Sequence, residues 1–318
     1  MTLEKPKIEK IEKDKNYVYE QFKSVDFDIK SFPELHERLV ELANMPDSHF
    51  EDAVKMAEVV NLLWEDIKKE DNISFSLEEM QLACLFHDIG KSGPAEADRE
   101  ERLMVEQIFN PVFFNADSER FKKAFPDVGL KERKKFLRDS SIEKILEVQG
   151  FPNNQEIKKY LETLTVHIYD PKKKKIIEEQ LDLNKHTMIQ LWREHDYWTY
   201  ELLKKYGDNK IPEELVVTAS THHALEGHDP AMIDGSIPNE AVTLELLDKY
   251  SILTLVDKYQ AFIDREKISH DETIVILGKM IDESKSNGII NHDGSVYNQF
   301  RKYLSVLANH PEIAEKIK

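Results

Sequence analysis

Apolar residues recur at helical spacing over most of the chain, and they predict a protein built from helices. A short amphipathic helix is expected over 33–43. A longer one is expected over about 48–69, after a Pro-Asp-Ser turn. A third should run from about 77 to 88, with Gly90 ending it. Only 10 glycines stand among many Glu and Lys residues, a composition that favours helices over turn-rich sheets.

The spacing changes over 93–184, which carries charged helical segments separated by prolines. Within it, the sequence TVHIYDPKKKKIIEEQLDL predicts a β-hairpin that turns near Asp170. Helical spacing returns from about 185 in three segments, and a last pair of helices is expected over 272–284 and 295–308. The segment 93–184 is therefore interpreted as an inserted, mostly helical subdomain that contains a hairpin.

The chain is expected to divide into four sections. Residues 1–45 comprise an N-terminal arm and a short helix. The arm, which alternates Lys and Glu to about residue 30, is expected to be frayed or loosely docked. Residues 46–92 and 185–318 are expected to form the two parts of one helical bundle, with the insertion 93–184 between them. The expected fold class is all-α.

Charge and composition restrict the partners that we expect. The net charge of −17 repels polyanions and argues against a nucleic-acid polymer as partner. No segment has the roughly 18 consecutive apolar residues that a bilayer requires, so no membrane association is expected. The single cysteine, Cys84, lies among apolar neighbours, which predicts a packed thiol and suits a cytoplasmic protein.

Candidate chemistry lies at the end of the third helix. His87 and Asp88 are adjacent after an apolar run, and a carboxylate inside a helical core is costly unless a metal or another charge compensates it. For these two residues alone, an ordinary helix-end ion pair is an equal alternative. Metal-ligand residue types on other predicted helices can converge with them in a bundle, and these are His49, His195, His222, His223 and Asp257.

Taken in order, these segments resemble the HD-GYP branch of the HD phosphohydrolases. LACLFHDIGK is similar to that family's HD-x-GK helix, HDYWTYELL to its H-x(6)-IL helix, and THHALEGHDP stands where the family has HHE-x-x-DG-x-GYP. LTLVDKYQAF resembles its aspartate segment, and INHDGSVYNQF resembles its C-terminal FDP-x-x-V-x-x-F. The resemblance covers about 46–92 and 185–305. His186 competes with His195 for the H-x(6)-IL position, but the spacing to the following leucine pair favours His195 and leaves the other as an ordinary surface histidine.

The resemblance implies an HD-domain bundle that holds two divalent metal ions, iron or manganese, and hydrolyses a cyclic dinucleotide, chiefly cyclic di-GMP. By position, it implies one metal bound by His49, His87, Asp88 and Asp257. It implies a second metal bound by His195, His222 and His223, with Asp88 shared. It also implies that Lys91 acts in catalysis near the substrate phosphate, and that Arg265 binds substrate.

Four departures from the family bear on the substrate, the number of metals and the shape of the pocket. Ala224 replaces the glutamate of HHE, and the GYP element is reduced to GHDP at 227–230, with no tyrosine. Met45 stands where three-metal members have a glutamate, which favours two metals. The insertion 93–184 lengthens the usual spacing and can cover or reshape the pocket.

Three functions follow from this interpretation. The first is a phosphodiesterase in which a metal-activated water attacks a cyclic dinucleotide and Lys91 stabilises the developing charge. The second keeps the metals but hydrolyses another nucleotide or small phosphoester. The third is a catalytically silent protein that binds a cyclic dinucleotide or serves as a scaffold, with a homodimer or protein partner at the altered loop or the insertion.

Overall fold

Helices make up most of the described chain, and the expected all-α fold class is confirmed. The computed structural model describes residues 8–45, 49–70, 73, 75–110, 116–149, 154–170, 175–208, 210–226, 244–287, 289–290 and 295–317. The helices are α1 (Ile8–Lys23), α2 (Pro33–Asn44), α3 (His49–Glu70), α4 (Leu77–Phe86), α5 (Arg99–Phe109), α6 (Glu119–Ala124), α7 (Leu130–Asp139), α8 (Ile142–Gln149), α9 (Asn154–Leu161), α10 (Met188–Tyr206), α11 (Glu213–Ala219), α12 (Leu244–Gln260), α13 (His270–Ser286), α14 (Ser295–Ala308) and α15 (Ile313–Lys316). None of these described helices is long and apolar enough to cross a membrane.

The predicted hairpin lies where the sequence indicated. Strand β1 (Thr165–Asp170) pairs antiparallel with β2 (Lys175–Gln180), so that Thr165 stands opposite Gln180. The hairpin packs against α10 through β1. It therefore belongs to the surroundings of a helix that carries candidate ligands.

One hydrophobic core lies between α3, α4, α12, α13 and α14. Val60 of α3, Leu253 of α12 and Phe300 of α14 are all buried in it. Cys84 is buried in the same core, as expected for a packed thiol, and burial raises the pKa of this thiol far above its ordinary value. The burial of these apolar faces holds these five helices together.

A second core joins the N-terminal helices, the insertion and α10. Phe121 of α6 and Leu146 of α8 are buried in one cluster with Leu202 of α10. Val18 and Phe22 of α1 are fully buried in the same cluster, so the expectation of a loosely docked arm is wrong for this part of the chain. The two residues are four apart and share one face of α1, a short apolar signal among many charges.

Gly90 allows two parts of the bundle to touch. It lies in the 3-10 turn Ile89–Ser92, after α4 ends at Phe86, so the expected helix to residue 88 is shorter. The Gly90 N–H donates to Thr199 Oγ1 at 3.0 Å, and a Cβ at residue 90 would lie 2.0 Å from the carbonyl oxygen of His195. The positive φ typical of a helix-ending glycine occurs instead at Gly93, at 100°. Gly90 therefore serves close packing against α10.

Gly90→Ala should lower the free energy of unfolding by about 1–3 kcal/mol, because the new methyl group meets rigid backbone. Urea unfolding measures the change. Gly278→Ala is the matched control, since its Cβ would meet only the ends of two side chains, Arg301 at 3.3 Å and Leu304 at 3.7 Å. A helical Gly→Ala change gains about 0.5–1 kcal/mol. Equal stability of the Gly90 variant and the native chain would contradict the close-packing role.

Candidate metal centre

Two histidines of the centre are oriented by the same local contact. The His87 Nδ1–H donates to the carbonyl oxygen of Cys84 at 2.7 Å, and the His195 Nδ1–H donates to the carbonyl oxygen of Trp192. A carbonyl oxygen only accepts, so Nδ1 carries the hydrogen in the neutral form of each ring. Nε2 then presents its lone pair to the interior, as a metal ligand must.

Asp88 lies between two groups of ligand atoms. Its Oδ1 is 3.3 Å from His195 Nε2 and 3.6 Å from His222 Nε2. Its Oδ2 is 3.4 Å from His87 Nε2 and 3.9 Å from His49 Nδ1. Each oxygen therefore faces a different group of candidate ligand atoms.

The first group adds Asp257 to His49, His87 and Asp88 Oδ2. Asp257 Oδ1 lies on α12, 3.9 Å from His87 Nε2. His49 begins α3, and its other nitrogen, Nε2, lies 3.4 Å from the carbonyl oxygen of Phe109. The compact set in this part of the centre is His87, Asp88 and His222, whose ligand atoms lie within 4.8 Å of one another. His49 and Asp257 lie at its edge, and imidazole and carboxylate side chains of this kind can bind a divalent metal ion.

The second group is tighter. His195 Nε2 and His222 Nε2 are 2.9 Å apart, and Asp88 Oδ1 lies 3.3 and 3.6 Å from them. Ligands about 2.1 Å from one ion are about 3.0 Å apart in an octahedron and about 3.4 Å apart in a tetrahedron. The observed separations match the coordination sphere of a single ion.

Asp196 belongs to the second group, although the sequence analysis did not select it. Its Oδ1 lies 3.3 Å from His195 Nε2 and 3.4 Å from His222 Nε2, and the residue is fully buried. Asp196 and His223 each offer a ligand atom within 4.8 Å of those of His195 and His222. In the sequence, the adjacent pair His195-Asp196 repeats the pattern of His87-Asp88, and this repetition could have marked Asp196 as a candidate ligand. These buried His and Asp groups can hold a metal ion.

Burial and a neighbouring charge keep these side chains in the protonation states that bind a metal. Burial lowers the pKa of His49 and of His222 well below the ordinary value, so both rings are neutral at pH 7. Burial alone would raise the pKa of Asp88, but the Lys91 ammonium that donates to it holds that pKa well below its usual range. Neutral imidazole and ionised carboxylate are the forms that coordinate metals.

Lys91 stands beside the first group. Its Nζ donates to Asp88 Oδ2 and lies 3.4 Å from His49 Nδ1. The residue is buried, so its ammonium acts on Asp88 with little screening by water. A cation in this position can also contact an anion that approaches the first group.

The structure places two further predicted residues. Arg265, which is expected to bind substrate, pairs with Asp52 at 2.7 Å, and its side chain is 43% exposed. Its charge also acts on Asp88 and Asp257, so it lies near the first group, and its role in substrate binding stays a prediction. His186 accepts from the backbone N–H of Asp182 at 2.8 Å, outside both ligand groups. His195 is thus the histidine that reaches the centre. The expectation of a surface position for the other histidine is wrong, because His186 is buried beside the hairpin.

The insertion reaches the centre through the end of α5. The ring of Phe109 faces that of His195, with centroids 5.8 Å apart, and its carbonyl oxygen lies 3.4 Å from His49 Nε2. The carbonyl oxygen of Ile108 accepts from the Trp192 indole N–H at 3.0 Å. The end of α5 therefore contacts the two ligand groups directly, and a substitution there can alter access to them.

Acidification should destabilise the metal-free protein. An unfolded histidine takes up a proton near pH 6.5, whereas buried His49 and His222, with lowered pKa values, stay neutral in the folded state. The unfolded state therefore binds more protons as the pH falls below 6.5, and each ring should cost about 1 kcal/mol of unfolding free energy between pH 6.5 and 5.5. Urea unfolding with a chelator measures this loss. The loss should be about 1 kcal/mol smaller in His222→Gln, and an identical loss would contradict a neutral, buried His222.

Comparison with known proteins identifies no relative of this chain. No family model matches it, and neither a curated protein nor a solved structure matches it. The altered loop at 227–230 lies outside the described residues. The likeness to HD-GYP proteins accordingly stays a prediction from the sequence motifs.

Proposed function

We propose that the chain is a metal-dependent phosphodiesterase of the HD-GYP type that hydrolyses a cyclic dinucleotide, with cyclic di-GMP as the first candidate. The observation that carries the proposal is the position of Asp88, whose two oxygens face two separate groups of ligand atoms. Two ions that share a carboxylate are a common basis for phosphoester hydrolysis. The ordered sequence motifs support the same conclusion.

The proposal assigns one ion to each ligand group. His49, His87, Asp88 and Asp257 would hold the first, and His195, His222, His223 and Asp88 the second, with Asp196 as a further ligand. Donor sets of imidazole and carboxylate without cysteine fit iron or manganese. Such ions, when bound, make water nucleophilic near neutral pH and neutralise charge on phosphoryl oxygens.

Lys91 supplies a charge that the reaction requires. Its ammonium lies 3.4 Å from His49 Nδ1 and donates to Asp88, so it stands at the edge of the first group. From there it can bind a non-bridging phosphate oxygen and stabilise the negative charge that develops during the reaction. Because a hydrolytic water is the nucleophile in this proposal, no side chain needs to form a covalent intermediate.

Hydrolysis of a small phosphoester is a second candidate, and the position of α5 favours it. Phe109 contacts the ring of His195, and its carbonyl oxygen lies beside His49. Asp88 and His195 are only 3% exposed. A cyclic dinucleotide brings two bases to its phosphates and needs more space than a mononucleotide or a simple ester.

Asp88→Asn should remove bound metal and lower turnover about 100-fold to 1,000-fold, because the bridging charge is worth several kcal/mol in the transition state. Metal analysis of anaerobically purified protein and hydrolysis of cyclic di-GMP measure both effects. Asp66→Asn, which alters surface pairs with Lys69 and His310 away from both ligand groups, is the control and should retain native values. A native chain without metal would refute the proposal, whereas metal without turnover would favour ligand sensing.

Phe109→Ala should increase the preference for large substrates, because it removes the ring that faces His195. The ratio of kcat/KM for cyclic di-GMP to that for a small phosphodiester should rise about tenfold, as expected for one apolar contact in a pocket. Leu103→Ala, at a position of α5 that is 45% exposed, is the control. A native preference for the small ester would favour the second candidate, and an unchanged ratio in the Phe109 variant would contradict its role in access.

A further inference from the structure

Glu226 links three elements around His223. Its Oε2 lies 3.3 Å from His223 Nδ1 and 3.1 Å from Arg193 Nη2. Its Oε1 lies 3.4 Å from Lys258 Nζ. The carboxylate thus joins α10, α12 and the turn after α11, and its side chain is 25% exposed. Lys258 and Arg193 thus place two positive charges beside the Glu226 carboxylate.

The Nδ1 atom of His223 has two competing partners, Lys258 Nζ at 2.8 Å and Glu226 Oε2 at 3.3 Å. An ammonium only donates, so the contact with Lys258 requires a bare Nδ1 and places the hydrogen of the neutral ring on Nε2. A carboxylate only accepts, so the contact with Glu226 requires an N–H at Nδ1. Only this second arrangement leaves a lone pair on Nε2 for a metal.

Lys258 can release His223 because it has other acceptors. Its Nζ lies 3.2 Å from Asp257 Oδ2 and 3.4 Å from Glu226 Oε1. The ammonium therefore stays compensated by two carboxylates when the Nδ1 atom of His223 turns to Glu226. No large movement is required, since all of these atoms already lie within 3.4 Å of a partner.

We infer that Glu226 is a positioning residue that makes His223 a metal ligand of the second group, by accepting a hydrogen bond from His223 Nδ1–H. The inference rests on the proposed function to the extent that it requires a metal in that group. Carboxylates that hold a ligand histidine in this way change metal affinity by about 10–100-fold. Glu226 stands two residues after Ala224, where the resemblance to the HHE motif ends.

The test is a Mn²⁺ titration of the chelator-treated full chain, without substrate, followed by calorimetry. Glu226→Gln should weaken one equivalent of Mn²⁺ about 10–100-fold, with an unchanged circular dichroism spectrum. Glu226→Asp, which keeps the charge, should recover part of this affinity. Glu213→Gln is the matched control, since Glu213 pairs with Lys204 at the surface of α11, and it should bind as the native chain does.

A double-mutant cycle separates positioning from a general effect of charge. His223→Asn should weaken the same equivalent, and adding Glu226→Gln to it should cause no further loss, because the ring to be positioned is gone. An equal further loss in that background, or native affinity in Glu226→Gln, would overturn the inference.

The inference and the proposed function fail in different experiments. Mn²⁺ affinity that depends on Glu226, in a chain that hydrolyses no phosphoester, would support the inference and refute the phosphohydrolase. Hydrolysis by a native chain whose Mn²⁺ affinity does not depend on Glu226 would support the phosphohydrolase and overturn the inference. A native chain that binds neither Mn²⁺ nor Fe²⁺ would overturn both.

Discussion

The burial of one carboxylate, that of Asp88, is the constraint on which the rest of the structure depends. An ionised carboxylate inside a protein costs several kcal/mol unless charges or hydrogen-bond donors surround it closely. Here the Lys91 ammonium provides part of that compensation, and a metal ion held by the imidazoles of His87 and His195 would provide the rest. Because these groups come from separate parts of the chain, the turn after α4 and the helix α10 must meet at one point. The apolar cores on either side hold them there.

The contact between Gly90 and α10 fixes the position of Asp88 relative to that helix. Thr199 Oγ1 accepts from the Gly90 N–H and donates to the carbonyl oxygen of His87. One hydroxyl therefore ties the backbone on both sides of Asp88 to α10, one helical turn from His195. The two rings that flank Asp88 are then set by short hydrogen bonds within their own segments, so their direction depends little on distant residues.

The sequence predicted the features that depend on local signals. Helical spacing and the hairpin were recognised because they repeat over neighbouring residues, and His87, His195 and His222 were recognised because ordered motifs mark them. Asp196 and Glu226 were not, because their roles depend on which side of α10 faces the interior and on the turn after α11. The docking of α1 was missed for a similar reason. Two apolar residues on one face do not predict docking by themselves, because it depends on a core that residues far along the chain form.

The contact of Phe109 with the ligand groups has a consequence for the rate of metal exchange rather than for metal affinity. An ion held beside this ring and the neighbouring backbone would be covered on that side by the end of α5, and local openings of packed segments are rare and slow. Exchange with ions in solution would then be slowed by the packing of this segment as well as by the coordination bonds. An ion acquired while the chain folds would accordingly tend to stay with that molecule.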